Sequence, residues 1–344
     1  MKSRSHALSA RSNGLCAQIR TLVLLLAPLA CQSKPKAPAL LLPVVDVPLP
    51  GDASRFDYAS LDPAAHRLYL NHMGAGEVVV FDTAARKVET VLQGYPSCTG
   101  ILAVPSRNEL YVSVAGEGRV AVLDTRTLRE LARVPAGRFP DGLAFDPENG
   151  RVFVSDERGG QVVVIETGTH RVVGQVPLGG EAGNTQYDPI SRRIYTNVQT
   201  QNQLVAIDPN TLMVVARMDL PGAKGNHGLA LDPDRRLAFV ACEGNAVLLV
   251  VDLVRGRVAA SFAVGRDPDV LAFDPGTGRL VVASESGPAS VFSEEGGALR
   301  REGDQEVGPN AHVVAIDPGT HLLYFPLKRL GAGPGLRILA PAPR

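Results

Sequence analysis

The sequence predicts an all-β fold: a seven-bladed β-propeller of four-stranded antiparallel blades, closed by an N-terminal strand that pairs with the last blade. Three observations predict it. Seven Pro-anchored turns recur every 42 to 44 residues: Asp62-Pro63, Val104-Pro105, Asp146-Pro147, Asp188-Pro189, Asp232-Pro233, Asp274-Pro275 and Asp317-Pro318. Each unit holds several short apolar runs, the pattern of strands buried on both faces between neighbouring blades. The two ends of the chain are also complementary, because the last unit lacks a fourth strand and an unassigned strand precedes the first unit.

The first 30 residues carry Lys2, Arg4, Arg11 and Arg20 with no acid, and lead into the apolar run 21–30. That run has signal-peptide length and is too short to span a bilayer, so it reads as an export signal. Leu29-Ala30-Cys31 resembles the cleavage site of bacterial lipoproteins, in which the cysteine is lipidated and becomes the new N-terminus. Pro28 departs from that motif, and ordinary signal cleavage stays open. The expected organisation is a signal at 1–30, a short polar tether at 31–42 and the propeller at 43–344. The protein is expected outside the cytoplasm, in the periplasm or at the outer membrane or cell surface, as a monomer touching the membrane only through the Cys31 lipid.

Lys+Arg and Asp+Glu balance at 35 each, and removing the four N-terminal cations leaves 31 against 35 from Cys31 onward. The mature domain has no basic field, so nucleic acid is not an expected partner. Cys98 and Cys242 fall in the second and fifth units, nearly opposite in a seven-fold ring and too far apart for a disulfide. They read as small buried thiols.

Within a unit, the first strand runs into the anchor, as in Gly142-Leu143-Ala144-Phe145-Asp146. Asp at the first turn position accepts from the N–H two residues on, and Pro presets the backbone at the second, which stops the strand. The second strand follows the turn, as in Arg151-Val152-Phe153-Val154-Ser155, and the third is the most apolar, as in Gln161-Val162-Val163-Val164-Ile165-Glu166. A second turn acid lies 20 residues after the anchor in the first five units: Asp82, Asp124, Glu166, Asp208 and Asp252. The fourth strand alternates, as in Lys87-Val88-Glu89-Thr90-Val91-Leu92. The sixth unit departs after Glu294, where a Gly- and charge-rich stretch leaves its outer strand least defined. In the seventh, Leu336-Arg337-Ile338-Leu339-Ala340 is a third strand, and Val44-Val45-Asp46-Val47-Pro48-Leu49 is expected to supply the missing fourth.

The second strands Leu68-Tyr69-Leu70-Asn71, Leu110-Tyr111-Val112-Ser113 and Ile194-Tyr195-Thr196-Asn197, with the Asp-Pro anchors, resemble the YVTN-type β-propeller repeat family over residues 43–340. The resemblance implies an exported bacterial propeller. The family is related in form to quinoprotein amine dehydrogenase heavy subunits, haem domains of some nitrite reductases and lactonase-like propellers. The chain has no Trp and does not match the WD-type repeat.

Five residues before each anchor stand Asp57, Thr99, Asp141, Gly183, His227, Asp269 and His312. This register is expected just before the innermost strand, at one mouth of the central channel. His227, Asp269, His312 and Asp57 come from four blades that are consecutive in the closed ring, and imidazole with carboxylate is a sensible set for an axial divalent Zn, Mn or Fe. The same register also reads as polar groups that bond loop backbone or channel water, because the family commonly places a small or polar residue there, as in Pro140-Asp141-Gly142. Eight residues before the anchor, Arg138, Lys224 and Arg266 recur over the same mouth, a cationic rim suited to a small anionic ligand or simply solvated. Loops such as His72 to Gly76 and Leu327 to Gly335 are expected on this face, and His66, His170 and His321 as exposed residues on the opposite one. No Gly-x-Ser-x-Gly elbow, phosphate loop or Cys-x-x-Cys-His occurs, so hydrolase, nucleotide and covalent haem readings lack local support.

The functional expectation is a non-enzymatic binding module that presents its channel mouth to a protein, a glycan or a small anionic ligand. Two rivals remain: a lactonase- or quinoprotein-type enzyme with an axial His/Asp metal site, and an electron-transfer partner subunit. Expressed in a bacterial host, the full chain is expected to incorporate labelled palmitate and Cys31→Ser to remain unlabelled. An unlabelled wild-type chain would favour ordinary signal cleavage.

Overall fold

A computed structural model describes residues 39–343. The signal, most of the tether and Cys31 lie outside the described residues. Seven four-stranded antiparallel sheets succeed one another along the chain. Blades one to six each use four consecutive strands, beginning with Ala59–Asp62, Arg67–His72, Glu77–Asp82 and Lys87–Gln93 in blade one. Among the described residues, the only helical pieces are four three-residue 3₁₀ turns.

The anchors act as the turn chemistry dictates. Oδ1 of Asp146, Asp188, Asp274 and Asp317 accepts from the backbone N–H two residues on, at 3.0, 3.0, 3.0 and 2.8 Å. At Asp62 and Asp232 the bond goes instead to the N–H three residues on, of Ala65 and Arg235. Asp82, Asp124, Asp208 and Asp252 repeat the device at the next turn of their blades.

Between blades, the apolar runs interlock face to face. Tyr69, Val78 and Val80 of blade one pack against Ile101, Leu110 and Val112 of blade two, and the same pattern recurs at every interface, giving seven separate clusters. Each fully buried Val, Leu or Phe contributes on the order of 2 kcal/mol, so the interfaces hold the ring. Cys98 and Cys242 are free and buried, and burial pushes their thiols up to about 12 and about 11.

The ring closes as expected, with a longer strand. Leu41–Pro48 pairs antiparallel with Gly333–Pro341, from Leu41 opposite Pro341 to Pro48 opposite Gly335. Leu41 and Leu42, expected in the tether, therefore belong to the closing strand. Arg337 reinforces it with two bonds to the Asp46 carboxylate, at 2.9 and 2.7 Å.

Three expectations are corrected. Residues 327–335 are not a long loop: Leu323–Leu330 and Gly333–Pro341 form a hairpin joined by a two-residue turn. The outer strand of blade six is well formed, with Ala298–Glu306 pairing with Pro288–Glu295. His170 and His321 are not free surface residues; each reaches the preceding blade, His170 Nε2 lying 3.1 Å from Glu109 and His321 Nδ1 2.8 Å from Asp274. Only His66 of the three is exposed.

Deleting residues 1–51 removes the whole closing strand and exposes the edge of Gly333–Pro341. The melting temperature is expected to fall by on the order of 10 °C or more, and an unchanged thermal melt would mean that the strand does not hold the ring.

Candidate functional site

The site grows from one irregularity in the innermost strands. In five blades the ladder to the second strand skips two residues, between Cys98 and Ile101, Pro140 and Leu143, Ala182 and Thr185, Asn226 and Leu229, and Pro268 and Leu271. A bulge bends its strand and re-aims the side chain of the unpaired residue. The skipped residues include Thr99, Asp141, Gly183, His227 and Asp269. The register expected just before the innermost strand therefore lies inside it in these blades. Only Asp57 and His312 precede their strands, which start at Ala59 and Ala315.

Three of the five bulges are held by the preceding blade. Asn71 Nδ2 donates to the Thr99 and Gly100 carbonyls at 2.5 and 3.0 Å, and Asn197 Nδ2 to those of His227 and Gly228 at 2.9 and 3.1 Å. Ser113 Oγ donates to the Asp141 carbonyl at 2.7 Å. The blades touch so closely here that a Cβ on Gly100 or Gly228 would lie 1.9 Å from the carbonyl oxygen of Asp141 or Asp269. The Asn of the Tyr-x-Asn strands thus positions the neighbouring blade's site residue.

Asp57, Asp141, His227 and Asp269 line one polar cavity of about 220 Å³. Tyr58 crosses its floor. Its Oη lies 2.5 Å from Asn184 Oδ1, 3.3 Å from Asp141 Oδ2 and 3.0 Å from His227 Nε2. The phenol proton serves the two oxygens, and His227 Nε2–H donates to the hydroxyl. Tyr58 also borders a second cavity of about 360 Å³, lined by following inner-strand residues such as Leu102 and Phe145, and so divides the axis into two chambers.

His227 Nε2 stands 3.6 Å from Asp141 and 3.7 Å from Asp269. Arg55 reaches the same centre, 3.4 Å from Asp269 and 4.0 Å from Asp57, and pairs with Glu285 at the rim. His312 lies behind the wall, fully buried. One donor atom each from Asp57, Asp269 and His312 lie within 4.8 Å of one another, as do those of His227, Glu243 and Asp269.

Burial dominates the titration of these groups. It raises Asp57 well above the carboxylate range, aided by the Asp269 charge, and raises Asp141 despite the opposing charge of His227. Asp269 is pushed up to about 7 by burial, with His227 opposing. Glu157 and Glu243 are also raised, mainly by burial. At His227 burial works against the cation, but Asp269 and Asp141 outweigh it and bring the imidazole up to about 9. Burial, with the Arg55 charge, pushes His312 down to about 3, so it is neutral. Burial disfavours the charged carboxylates by more than Arg55 and His227 offset.

The structure brings Asp57, Asp141, His227 and Asp269 together and sets His312 behind Asp57 and Asp269. It leaves Arg138, Lys224 and Arg266 exposed and outside the cavity lining. The pocket's cations are instead Arg55 and Arg158, which sequence reasoning missed together with Tyr58, Glu157 and Glu243. A second register would have revealed the acids: eleven residues after the anchors stand Met73, Ala115, Glu157, Gln199, Glu243, Glu285 and Lys328. Tyr58 occupies the position where three other blades have Gly100, Gly142 and Gly228.

No protein-family model matches the sequence, and no curated protein matches it. Among solved structures, the fold is similar to a chain from Kuenenia stuttgartiensis hydrazine synthase, with a TM-score of 0.73 and 15% identity over 87% of this chain and 97% of that one. The chain is a seven-bladed β-propeller. At this identity the likeness shows the fold alone.

The raised pKa values carry one sign for stability. Asp269 titrates at about 7 against 3.8 for an ordinary Asp, so its contribution is present at low pH and lost as the pH rises to about 7. His227 titrates at about 9 against 6.5, so its contribution is lost as the pH rises to about 9. His312, pushed down to about 3 from 6.5, contributes the opposite slope below about pH 6.5, so the melting temperature is expected to fall chiefly between about pH 6.5 and about pH 9, with Asp269→Asn reducing the fall below about pH 7. A melt series that rises over the range would contradict the burial of these charges.

Proposed function

We propose that this chain is a non-enzymatic binding module of the YVTN-type repeat family, carried outside the cytoplasm by its N-terminal signal and tethered through Cys31. Its channel mouth receives a positively charged organic group. The observation that supports this reading is the set of five acids whose pKa values are all raised, Asp57, Asp141, Asp269, Glu157 and Glu243, around one small cavity. A cation entering the cavity favours the charged form that burial disfavours and restores the state these acids hold in water.

The volume supports a small occupant. About 220 Å³ is below the usual span of small-molecule pockets, roughly 300–1,000 Å³, and suits one alkylammonium or guanidinium head rather than a whole drug-sized ligand. Such a head is offered by a lysine or arginine side chain of a partner, or by a small amine. The rim cations that would favour an anionic occupant, Arg138, Lys224 and Arg266, do not line the cavity, and its five acids outnumber Arg55, Arg158 and His227. The ring supplies rigidity: the interblade clusters and bulge bonds fix the acids before any ligand arrives, so little ordering cost falls on binding.

Calorimetric titration with n-butylammonium and methylguanidinium tests this. Binding is expected for both cations and to weaken with added salt, and Asp141→Asn and Glu157→Gln are each expected to lower affinity by about tenfold. Binding of acetate or phosphate in place of the cations, or cation affinities unchanged in both variants, would overturn the reading.

A further inference from the structure

We propose that Asp57, Asp269 and His312 form a divalent transition-metal site in the wall of the axial pocket, at the junction of blades six, seven and one. The proposal rests on the reading of the pocket as cation-accepting and adds an inorganic cation on the Asp57 and Asp269 side of the same cavity.

Three observations carry it. One donor atom from each residue already lies within 4.8 Å of the others, although the three come from different blades and are separated by up to 255 positions in sequence. Tetrahedral ligands with bonds of about 2.1 Å stand roughly 3.4 Å apart, so binding needs only a small inward rotation of the side chains.

The second observation is the state of the donors. The Asn310 and Phe56 carbonyls flank the His312 ring, with Nδ1 3.1 Å from the Asn310 oxygen. The buried Nε2 completes no hydrogen bond. A proton on Nδ1, donated to Asn310, leaves a bare lone pair on Nε2; this is the arrangement by which backbone carbonyls orient metal-bound imidazoles. Asp269 Oδ1 is likewise buried without a hydrogen-bond partner. Leaving two such atoms unsatisfied is costly, and a metal ion would satisfy both.

The third is Arg55. Its guanidinium stands 3.4 Å from Asp269 and 4.0 Å from Asp57, a single charge facing two carboxylates at loose distances. Its side chain is 38% exposed and already paired with Glu285 at the rim. Arg55 can therefore retreat to Glu285 as a divalent ion enters, and the ion brings twice the charge it replaces.

Two carboxylate oxygens and one imidazole nitrogen suit a borderline ion such as Zn²⁺ or Mn²⁺, and three protein ligands leave a coordination position facing the pocket. The rival trio of His227, Glu243 and Asp269 is less suited, because His227 Nε2 is already bonded to Tyr58.

The test is a titration of EDTA-stripped, dialysed full-length protein with ZnCl₂, followed by calorimetry and by the shift in melting temperature. The wild type is expected to bind one equivalent with a raised melting temperature. His312→Ala and Asp57→Asn are each expected to weaken that binding by at least about 100-fold. His66→Gln, an exposed turn residue outside the cavity lining, is expected to stay within about threefold of the wild type. Asp57→Asn preserves shape and decides the matter if His312→Ala fails to fold. Absence of Zn²⁺ binding to the wild type, or undiminished binding in Asp57→Asn, overturns the proposal, as does an equal loss of binding in His66→Gln. A failure here with n-butylammonium binding intact would leave the organic-cation reading standing, and Zn²⁺ binding without organic-cation binding would do the reverse.

Discussion

The capture of inner-strand bulges in blades two, three and five by the blade before them is the interaction on which this molecule depends. Asn71, Ser113 and Asn197 are buried in second strands, and each donates to carbonyls at the start of the next blade's first strand. These bonds do two things at once. They satisfy backbone groups that the bulge has removed from the ladder, which would otherwise be buried and unpaired. They also fix the direction in which Asp141 and His227 leave the strand. The close approach at Gly100 and Gly228 shows how little slack remains.

From that constraint follows the unusual electrostatics of the axis. Seven wedges bring the same register to one opening, so whatever the register contains is concentrated there. In this chain it contains three aspartates and two histidines, and the second register eleven residues past the anchors adds Glu157, Glu243 and Glu285. A flexible site would splay such groups into water. The interblade packing forbids it, and the cost appears as raised carboxyl pKa values and an imidazole held as a cation. Tyr58 knits the cluster by spanning the axis from blade one to Asn184 of blade four and His227 of blade five.

Much of this was legible in the sequence, for reasons that are local or periodic. The Asp-Pro anchors state their own turn chemistry, and their constant spacing gives the blade count. The unpaired Val44–Leu49 segment and the missing last strand imply closure by simple completion. Asp57, Asp141, His227 and Asp269 could be picked out because a repeat converts a shared offset into a shared place. Arg55 and Tyr58 were not legible, since each occurs once and has no counterpart in the other blades. His170 and His321 were misjudged because the turns that hold them lean on the neighbouring blade, and that lean depends on how two sheets pack. Residues 327–335 looked like a loop because Lys328 and Arg329 break the apolar pattern, yet the pairing of Leu330 with Gly333 carries the hairpin through them.

By itself, then, the sequence determined the number of blades, the order of their strands and the way the ring closes, because these depend on short-range turn chemistry and on a period. Only the tertiary structure decided which charges face one another, and with what effect. Distances of 3 to 4 Å between side chains of different blades arise from packing angles and bulges, and no offset along the chain encodes them. The rim cations Arg138, Lys224 and Arg266 share a register and still stay outside the cavity, whereas the solitary Arg55 lies at its centre. The sign of the pocket was therefore a property of the folded ring.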